Sequence, residues 1–161
     1  MFPAGRIFFL AYQIAQRRQT AMDARLAHLG MDIARWRPFM QLAALQPCAM
    51  TDLARVTAMD RTTLTRIVDR LVKDGWVERT TPPTDRRQVL LTITPAGEAI
   101  RLACLVEHDA YTSEVIHGLS KPEMDELHRL MKLLLGGMLE EDPRTRDLVL
   151  DLPMPGEGGP G

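Results

Sequence analysis

The chain has 161 residues, 45% of them hydrophobic and 25% charged, which is enough for one domain with a proper core. Only 5% are aromatic, which argues against a carbohydrate- or single-strand-binding surface built from stacking rings. The net charge is −1, but the charges are unevenly distributed along the chain. Residues 1–93 hold 14 Lys and Arg against 8 Asp and Glu, whereas residues 94–161 hold 6 Lys and Arg against 13 Asp and Glu. A polyanionic partner would therefore meet the first part of the chain.

The two cysteines, Cys48 and Cys104, do not form the framework of a disulfide-rich secreted domain. The apolar patch at residues 7–10 is too short to span a bilayer and lacks the small-residue cleavage pattern of a signal peptide. We therefore expect a reduced protein of the cytoplasm that has no membrane partner.

Two helices are predicted before the basic centre of the chain. Residues 5–30 carry apolar side chains at three- and four-residue steps and end at Gly30, which predicts one long amphipathic helix. Asp32 is a suitable cap for a second helix that runs to about Gln46. Pro38 lies inside that helix, where it forfeits a backbone hydrogen bond and predicts a kink.

The centre of the chain predicts a helix-turn-helix. A short apolar pattern at residues 50–57 is separated from Asp60 by only two residues, and helices joined so tightly must cross steeply. Asp60 can cap the second helix and Gly75 can end it. One face of this helix is apolar, and its other face is rich in cations and hydroxyls. The candidate DNA contacts on that face are Arg61, Thr62, Thr63, Thr65, Arg66, Arg70 and Lys73.

A β-hairpin is predicted directly after this helix. Residues 76–80 and 88–93 are rich in β-forming side chains and flank a Pro-rich tip that contains Asp85, Arg86 and Arg87. A polar helix fits the major groove of duplex DNA, and arginine suits the narrower and more negative minor groove. The helix and the hairpin together predict binding to double-stranded DNA.

The remaining segments predict two more helices and a tail. Thr94 and Pro95 suit the start of a long helix over residues 94–117, and Ser120 with Glu123 forms a capping box for the last helix. The apolar stripe of the last helix is too broad for one partner helix, so we expect a second copy of the chain against both terminal helices. The candidate interface residues are Ile7, Leu10, Ile14, Met124, Leu127, Met131, Leu134 and Met138. Residues 143–161 are rich in Pro, Gly and acid and predict a flexible tail.

The combined pattern resembles the MarR (multiple antibiotic resistance regulator) family of bacterial winged-helix repressors. The residues that carry the resemblance are Leu53-Ala54, Thr65 to Leu71, Gly75, Asp85-Arg86-Arg87 and Leu91 to Gly97. The similarity extends over roughly residues 5–140 and departs from the family at residues 48–50, which offer no Ser or Thr cap.

The resemblance implies a mainly α fold with a small β-hairpin, built as a winged helix-turn-helix domain with a dimerisation domain of N- and C-terminal helices. In this arrangement residues 31–97 are the DNA-binding region, with the recognition helix at about 61–74 and the wing at about 76–93. Residues 5–30 and 118–141 are the dimerisation helices, and residues 94–117 are the long connecting helix.

The resemblance also implies a function, that of a homodimeric, ligand-responsive repressor that binds a pseudo-palindromic duplex. Arg87 would enter the minor groove, Asp85 would hold it, and Arg86 would touch phosphate. A small aromatic or anionic effector would bind where the first two helices meet the helix after the wing. Its candidate contacts are Tyr12, Arg17, His28, Trp36 and Met40, although Trp36 and Met40 also suit plain core packing.

Three other functions compete with this interpretation. A winged helix can bind a protein instead of DNA, but residues 53–93 hold 8 Lys and Arg against 5 Asp and Glu. Redox sensing through Cys48 and Cys104 is a second alternative, although redox-sensing relatives carry the reactive cysteine early in the first helix, where this chain has none. An enzyme is the third, and no nucleophile elbow, phosphate-binding loop or carboxylate pair is present. The spacing of His28, His108, His117 and His128 matches no metal motif, so we expect no metal and no other cofactor.

Overall fold

The structure, a computed structural model, describes residues 4–82 and 88–152. It is mainly helical, with a small antiparallel sheet. The elements in chain order are α1 (Ala4–Leu26), a 3-10 helix (Ala27–Leu29), α2 (Ile33–Leu45), β1 (Cys48–Ala49), α3 (Met50–Thr57), α4 (Arg61–Lys73), β2 (Val77–Thr80), β3 (Leu90–Ile93), α5 (Pro95–Ile116), α6 (Lys121–Met138) and α7 (Pro143–Leu150). Within the described residues, no helix has both the length and the hydropathy needed to cross a membrane.

The predicted helix starts are those of the structure. The Asp32 carboxylate accepts a hydrogen bond from the Arg35 amide at 2.8 Å, and the Asp60 carboxylate accepts one from the Thr63 amide at 2.9 Å. These bonds satisfy amides that have no partner inside the helix. Helix α3 begins after Ala49 with no side-chain cap, which agrees with the departure from the family pattern at this point.

The sheet contains one strand more than the predicted hairpin. The strand order is β1-β3-β2, and both pairs are antiparallel. Val77 pairs with Ile93 in the hairpin, and Cys48 pairs with Leu91 on the other side of β3. A strand of two residues is too short to show alternation, so the sequence gives no sign of β1. This strand ties the base of the wing to the start of the helix-turn-helix.

Helix α2 lies at the centre of the core and packs against α3, α4 and β3. Its Trp36 and Phe39 are buried, as are Leu64 and Leu71 of α4. Burying such side chains stabilises the fold by about 1.5–3 kcal/mol each before cavity terms are added. The core therefore fixes α4 through its apolar face and leaves its polar face outside.

Arg35 joins the start of α2 to the end of α4. Its guanidinium donates to Asp32 at 2.9 Å and to Asp74 at 3.1 Å, and it lies 5.9 Å from the centre of the Trp76 ring. The side chain is only 15% exposed, so these contacts are stronger than those of an open surface pair. They set the position of α4 on α2.

The terminal helices carry exposed apolar faces. Of the predicted interface residues, Met124 is half-buried and the others are exposed, namely Ile7, Leu10, Ile14, Leu127, Met131, Leu134 and Met138. A contiguous apolar face of this kind marks an interaction surface. The structure thus retains the surplus apolar surface that the sequence shows.

The prediction of a flexible tail from residue 143 is wrong for residues 143–150, which form α7. The Asp142 carboxylate accepts hydrogen bonds from the Thr145 amide at 3.1 Å and from the Thr145 hydroxyl at 2.6 Å, and Leu148 and Val149 pack against the core. The prediction failed because it used the average composition of residues 143–161, which is rich in Pro and Gly, although residues 143–150 form a short helix capped by Asp142. Residues 153–161 lie outside the described part of the chain.

Candidate nucleic-acid interface and ligand pocket

Helix α4 presents a polar face to solvent. Leu64, Val68 and Leu71 are buried and hold the helix on the core. On the opposite face Thr65 is half-buried, and the exposed side chains are Arg61, Thr62, Thr63, Arg66, Arg70 and Lys73. All seven predicted contact residues of this helix thus lie on its accessible side.

The hydroxyls at the start of α4 differ in their hydrogen bonds. The Thr65 hydroxyl donates its hydrogen to the Arg61 carbonyl at 2.7 Å. Toward any other partner this hydroxyl can therefore act only as a hydrogen-bond acceptor. Hydrogen bonds from the Thr63 hydroxyl and amide hold the pKa of Asp60 below its usual value, which keeps the cap ionised near neutral pH.

The cations of α4 differ in how far their charge is balanced. Arg70 donates to Asp74 at 3.2 Å. Arg61, Arg66 and Lys73 have no carboxylate within 4 Å in the part of the chain that the structure describes. The uncompensated charge of these three side chains is available to phosphate.

Arg79 on β2 is a basic residue that the sequence interpretation omitted. Its guanidinium donates to Asp69 of α4 at 2.6 Å, which links the wing to the exposed face of the helix. Arg79 lies two residues after the buried Val77 in β2, and its own side chain is exposed.

The predicted tip contacts Asp85, Arg86 and Arg87 lie outside the described residues. The base of the wing is anchored at Thr94, whose hydroxyl donates to the Gly75 carbonyl at 2.6 Å and accepts from the Gly97 amide at 3.0 Å. A β carbon at Gly97 would lie 2.0 Å from the Trp76 carbonyl oxygen. Only glycine allows this close approach of α5 to the end of the helix-turn-helix.

A cavity of about 240 Å³ lies where α1, α2 and α5 meet the turn after α3. Trp36 and Met40 line it, as predicted for the effector site. The other lining residues are Arg18, Arg37, Pro38, Gln41, Thr57, Met59, His108 and Leu152. Tyr12, Arg17 and His28 are exposed and do not line it, because the helical rotation of α1 turns Tyr12 and Arg17 to another side.

The charged side chains of this cavity are cationic. Burial, together with repulsion from Arg37, lowers the pKa of Arg18 from its ordinary value, although arginine stays protonated in any case. His108 lies in the same lining, 3.0 Å from Asp109. Among the described residues the lining contains no carboxylate, so two neighbouring guanidinium groups face a space suited to an anion.

Gln41 connects this cavity to the helix-turn-helix. Its side-chain amide donates to the Val56 carbonyl in the last turn of α3 at 3.0 Å. Its amide oxygen is buried and receives no hydrogen bond from residues 4–82 or 88–152. A ligand here would meet a cationic pair suited to an anionic group and the ring of Trp36, with the Gln41 side chain in the same lining.

Sequence reasoning missed Arg18 although a signal was present. Arg18 lies four residues after Ile14 and four before Met22, so it places a charge inside the apolar stripe of α1. The sequence around Gln41 contains no comparable signal, because the contact of Gln41 with Val56 depends on the packing of α2 against α3.

The redox alternative receives no support from the thiols. Cys48 and Cys104 are both buried. Burial first, and then the nearby carboxylates of Asp52 and Glu107 respectively, raise the pKa of each thiol to about 11. The reactive thiolate is therefore scarce near neutral pH.

Comparison with known proteins gives a consistent result. The MarR family profile matches residues 33–89. The multiple antibiotic resistance protein MarR of Escherichia coli is 31% identical over 137 residues, which cover 84% of this chain and 92% of that protein. A crystal structure of an E. coli MarR mutant complexed with operator DNA superposes with a TM-score of 0.70 at 31% identity, over 83% of this chain and 94% of that one. The transcriptional activatory protein BadR of Rhodopseudomonas palustris is 28% identical over 136 residues, which cover 81% of this chain and 78% of that protein.

Proposed function

Because this chain belongs to the MarR family, we propose that it is a transcriptional regulator that binds a pseudo-palindromic DNA duplex as a homodimer. The observation that carries the proposal is the exposed face of α4, on which Arg61, Arg66 and Lys73 have no carboxylate partner among residues 4–82 and 88–152. The E. coli relative that was crystallised in complex with operator DNA supports DNA binding by this chain.

In this proposal each group of side chains has its own role. Arg66 forks onto a base edge in the major groove, and the exposed Thr62 hydroxyl contacts a base or a phosphate. Arg61 and Lys73 neutralise phosphates, and the wing reaches the minor groove through its predicted tip. Bound across a promoter in the bacterial cytoplasm, the dimer would block transcription, so repression is the proposed mode of action.

The homodimer follows from the exposed apolar faces of α1 and α6. A two-fold axis through these faces would place the two α4 helices about one turn of DNA apart, roughly 34 Å. We place Ile7, Leu10 and Ile14 of α1 in this interface, together with the predicted residues of α6.

We also propose that the cavity at Trp36 and Met40 binds a small aromatic anion. Arg18 and Arg37 would hold its charge, and Gln41 would accept a hydrogen bond from it. Through its bond to the Val56 carbonyl, Gln41 would transmit occupancy to α3. The ligand changes DNA affinity only if it binds better to one spacing of the two recognition helices than to the other.

The experiment that tests DNA binding is fluorescence anisotropy with a labelled duplex from upstream of the protein's own gene. Arg66→Ala should weaken binding by about 1–3 kcal/mol because it removes a charged contact made in the groove. The matched control is Arg129→Ala, which removes an arginine of α6 that donates to Glu126 at 2.7 Å. It should leave affinity unchanged.

The salt dependence of the same measurement separates the competing functions. Wild-type affinity should fall steeply as salt rises, with a log–log slope of about 0.9 per phosphate neutralised. If no duplex from a random-sequence selection binds more tightly than non-specific DNA, the protein is a winged-helix module for protein contact instead.

A further inference from the structure

Helix α7 bridges two parts of the molecule that the proposed function separates. It contacts α3 of the helix-turn-helix and α6 of the dimerisation helices. Thr145 is buried, and Leu148 and Val149 pack against the core. The Leu150 side chain lies close to Gly136 of α6, 3.6 Å from the place of a β carbon there.

The chain that follows α7 reaches the ligand pocket. Leu152 lines the cavity that holds Trp36 and Arg18. The same side chain lines an apolar groove formed with Phe8 of α1 and Met131 of α6. Leu152 therefore lies between the proposed effector site and the helices of the proposed dimer interface.

Charge also favours the docked position of this segment. Asp142 caps α7, and Arg55 of α3 contributes, after the hydrogen bonds from Thr145, to the lowered pKa of its carboxyl. Arg55 itself donates to Asp52 at 2.9 Å.

We propose that residues 143–152 form a strap that closes the ligand pocket with Leu152 and ties α3 to α6. A ligand that extends past Trp36 displaces Leu152 and loosens the strap. The spacing between the helix-turn-helix and the dimerisation helices then becomes free to change. The link to DNA affinity rests on the proposed function, whereas the closure of the pocket does not.

The test measures access to Trp36, which is 2% exposed. In a Trp76→Phe background Trp36 is the only tryptophan, and its fluorescence is titrated with acrylamide in the full chain. Leu152→Ala opens the pocket wall alone, and Leu148→Asp undocks the strap. Both should raise the quenching constant by roughly twofold or more, because the ring becomes accessible to the quencher. The control Asp147→Asn alters a side chain of α7 that is 69% exposed and should change nothing.

Two further measurements keep the outcomes distinct. Hydrogen exchange should quicken in α3 for Leu148→Asp but not for Asp147→Asn, while exchange in the buried turns of α2 stays slow and shows that the core is folded. Unchanged quenching in both Leu152→Ala and Leu148→Asp would overturn the strap. If quenching rises as expected but no variant or wild type binds DNA, the strap stands and the proposed function fails.

Discussion

At the residue scale, the neighbouring positions Arg17 and Arg18 show how strongly position on a helix decides the role of a side chain. Arg17 is exposed, whereas Arg18 lies in the pocket lining beside Arg37. The two arginines have the same chemistry and are adjacent in sequence, but they point in directions about 100° apart around the helix axis. Arg17 is therefore a suitable control position for substitutions of Arg18 in the pocket.

We predict that Arg18→Gln and Arg37→Gln each weaken binding of benzoate, used as a probe aromatic anion, by about tenfold or more, because a charge-assisted contact is lost. Arg17→Gln should bind benzoate like wild type. The measurement is a titration of Trp36 fluorescence in the Trp76→Phe background, with benzamide as the uncharged probe. Equal weakening of benzoate and benzamide would show that the arginines shape the cavity and do not recognise charge.

At the element scale, the wing depends on the junction between its base and α5. Thr94 bonds to Gly75 and to Gly97, and the Gly97 α carbon lies against the Trp76 carbonyl. A backbone carbonyl cannot move aside as a flexible side chain can, so this contact fixes where α5 leaves the sheet. The orientation of the wing follows from that junction.

We predict that Gly97→Ala lowers the free energy of unfolding by at least about 2 kcal/mol, since its β carbon would overlap the carbonyl. Gly118→Ala is the matched control, because a β carbon there meets no atom within 4 Å. Urea unfolding followed by circular dichroism measures both. A Gly97→Ala protein as stable as Gly118→Ala would mean that the junction is not close-packed.

At the scale of the whole molecule, the apolar faces of α1 and α6 are the basis of the proposed homodimer. Met131 and Leu134 are exposed on α6, and Ile14 is 66% exposed on α1. Exposed apolar side chains gathered on neighbouring helices mark an interaction surface. A second copy would remove them from solvent and pair the two DNA-reading faces.

We predict that Leu134→Asp shifts the protein from dimer to monomer in analytical ultracentrifugation, because a carboxylate would be buried without a partner. Operator affinity should then fall, since the two half-sites would no longer be bound together. Lys121→Glu, at the exposed start of α6, should remain dimeric. A Leu134→Asp protein that stays dimeric would place the interface elsewhere.

Local sequence patterns specify the helix-turn-helix, the hairpin and the amphipathic helices. These features depend on interactions within a few residues, such as the caps at Asp32 and Asp60 and the glycine at Gly75, and these interactions are readable from spacing alone. Such patterns also specify the basic face of α4, because helical periodicity assigns each side chain to a face.

The features that join distant segments depend on tertiary packing. The two-residue strand β1 forms through its pairing with β3. Helix α7 is held in place because Leu148 and Val149 pack against the core. The pocket brings Arg18, Arg37 and His108 together from three helices. No local pattern encodes such contacts, because they depend on the angles at which helices pack.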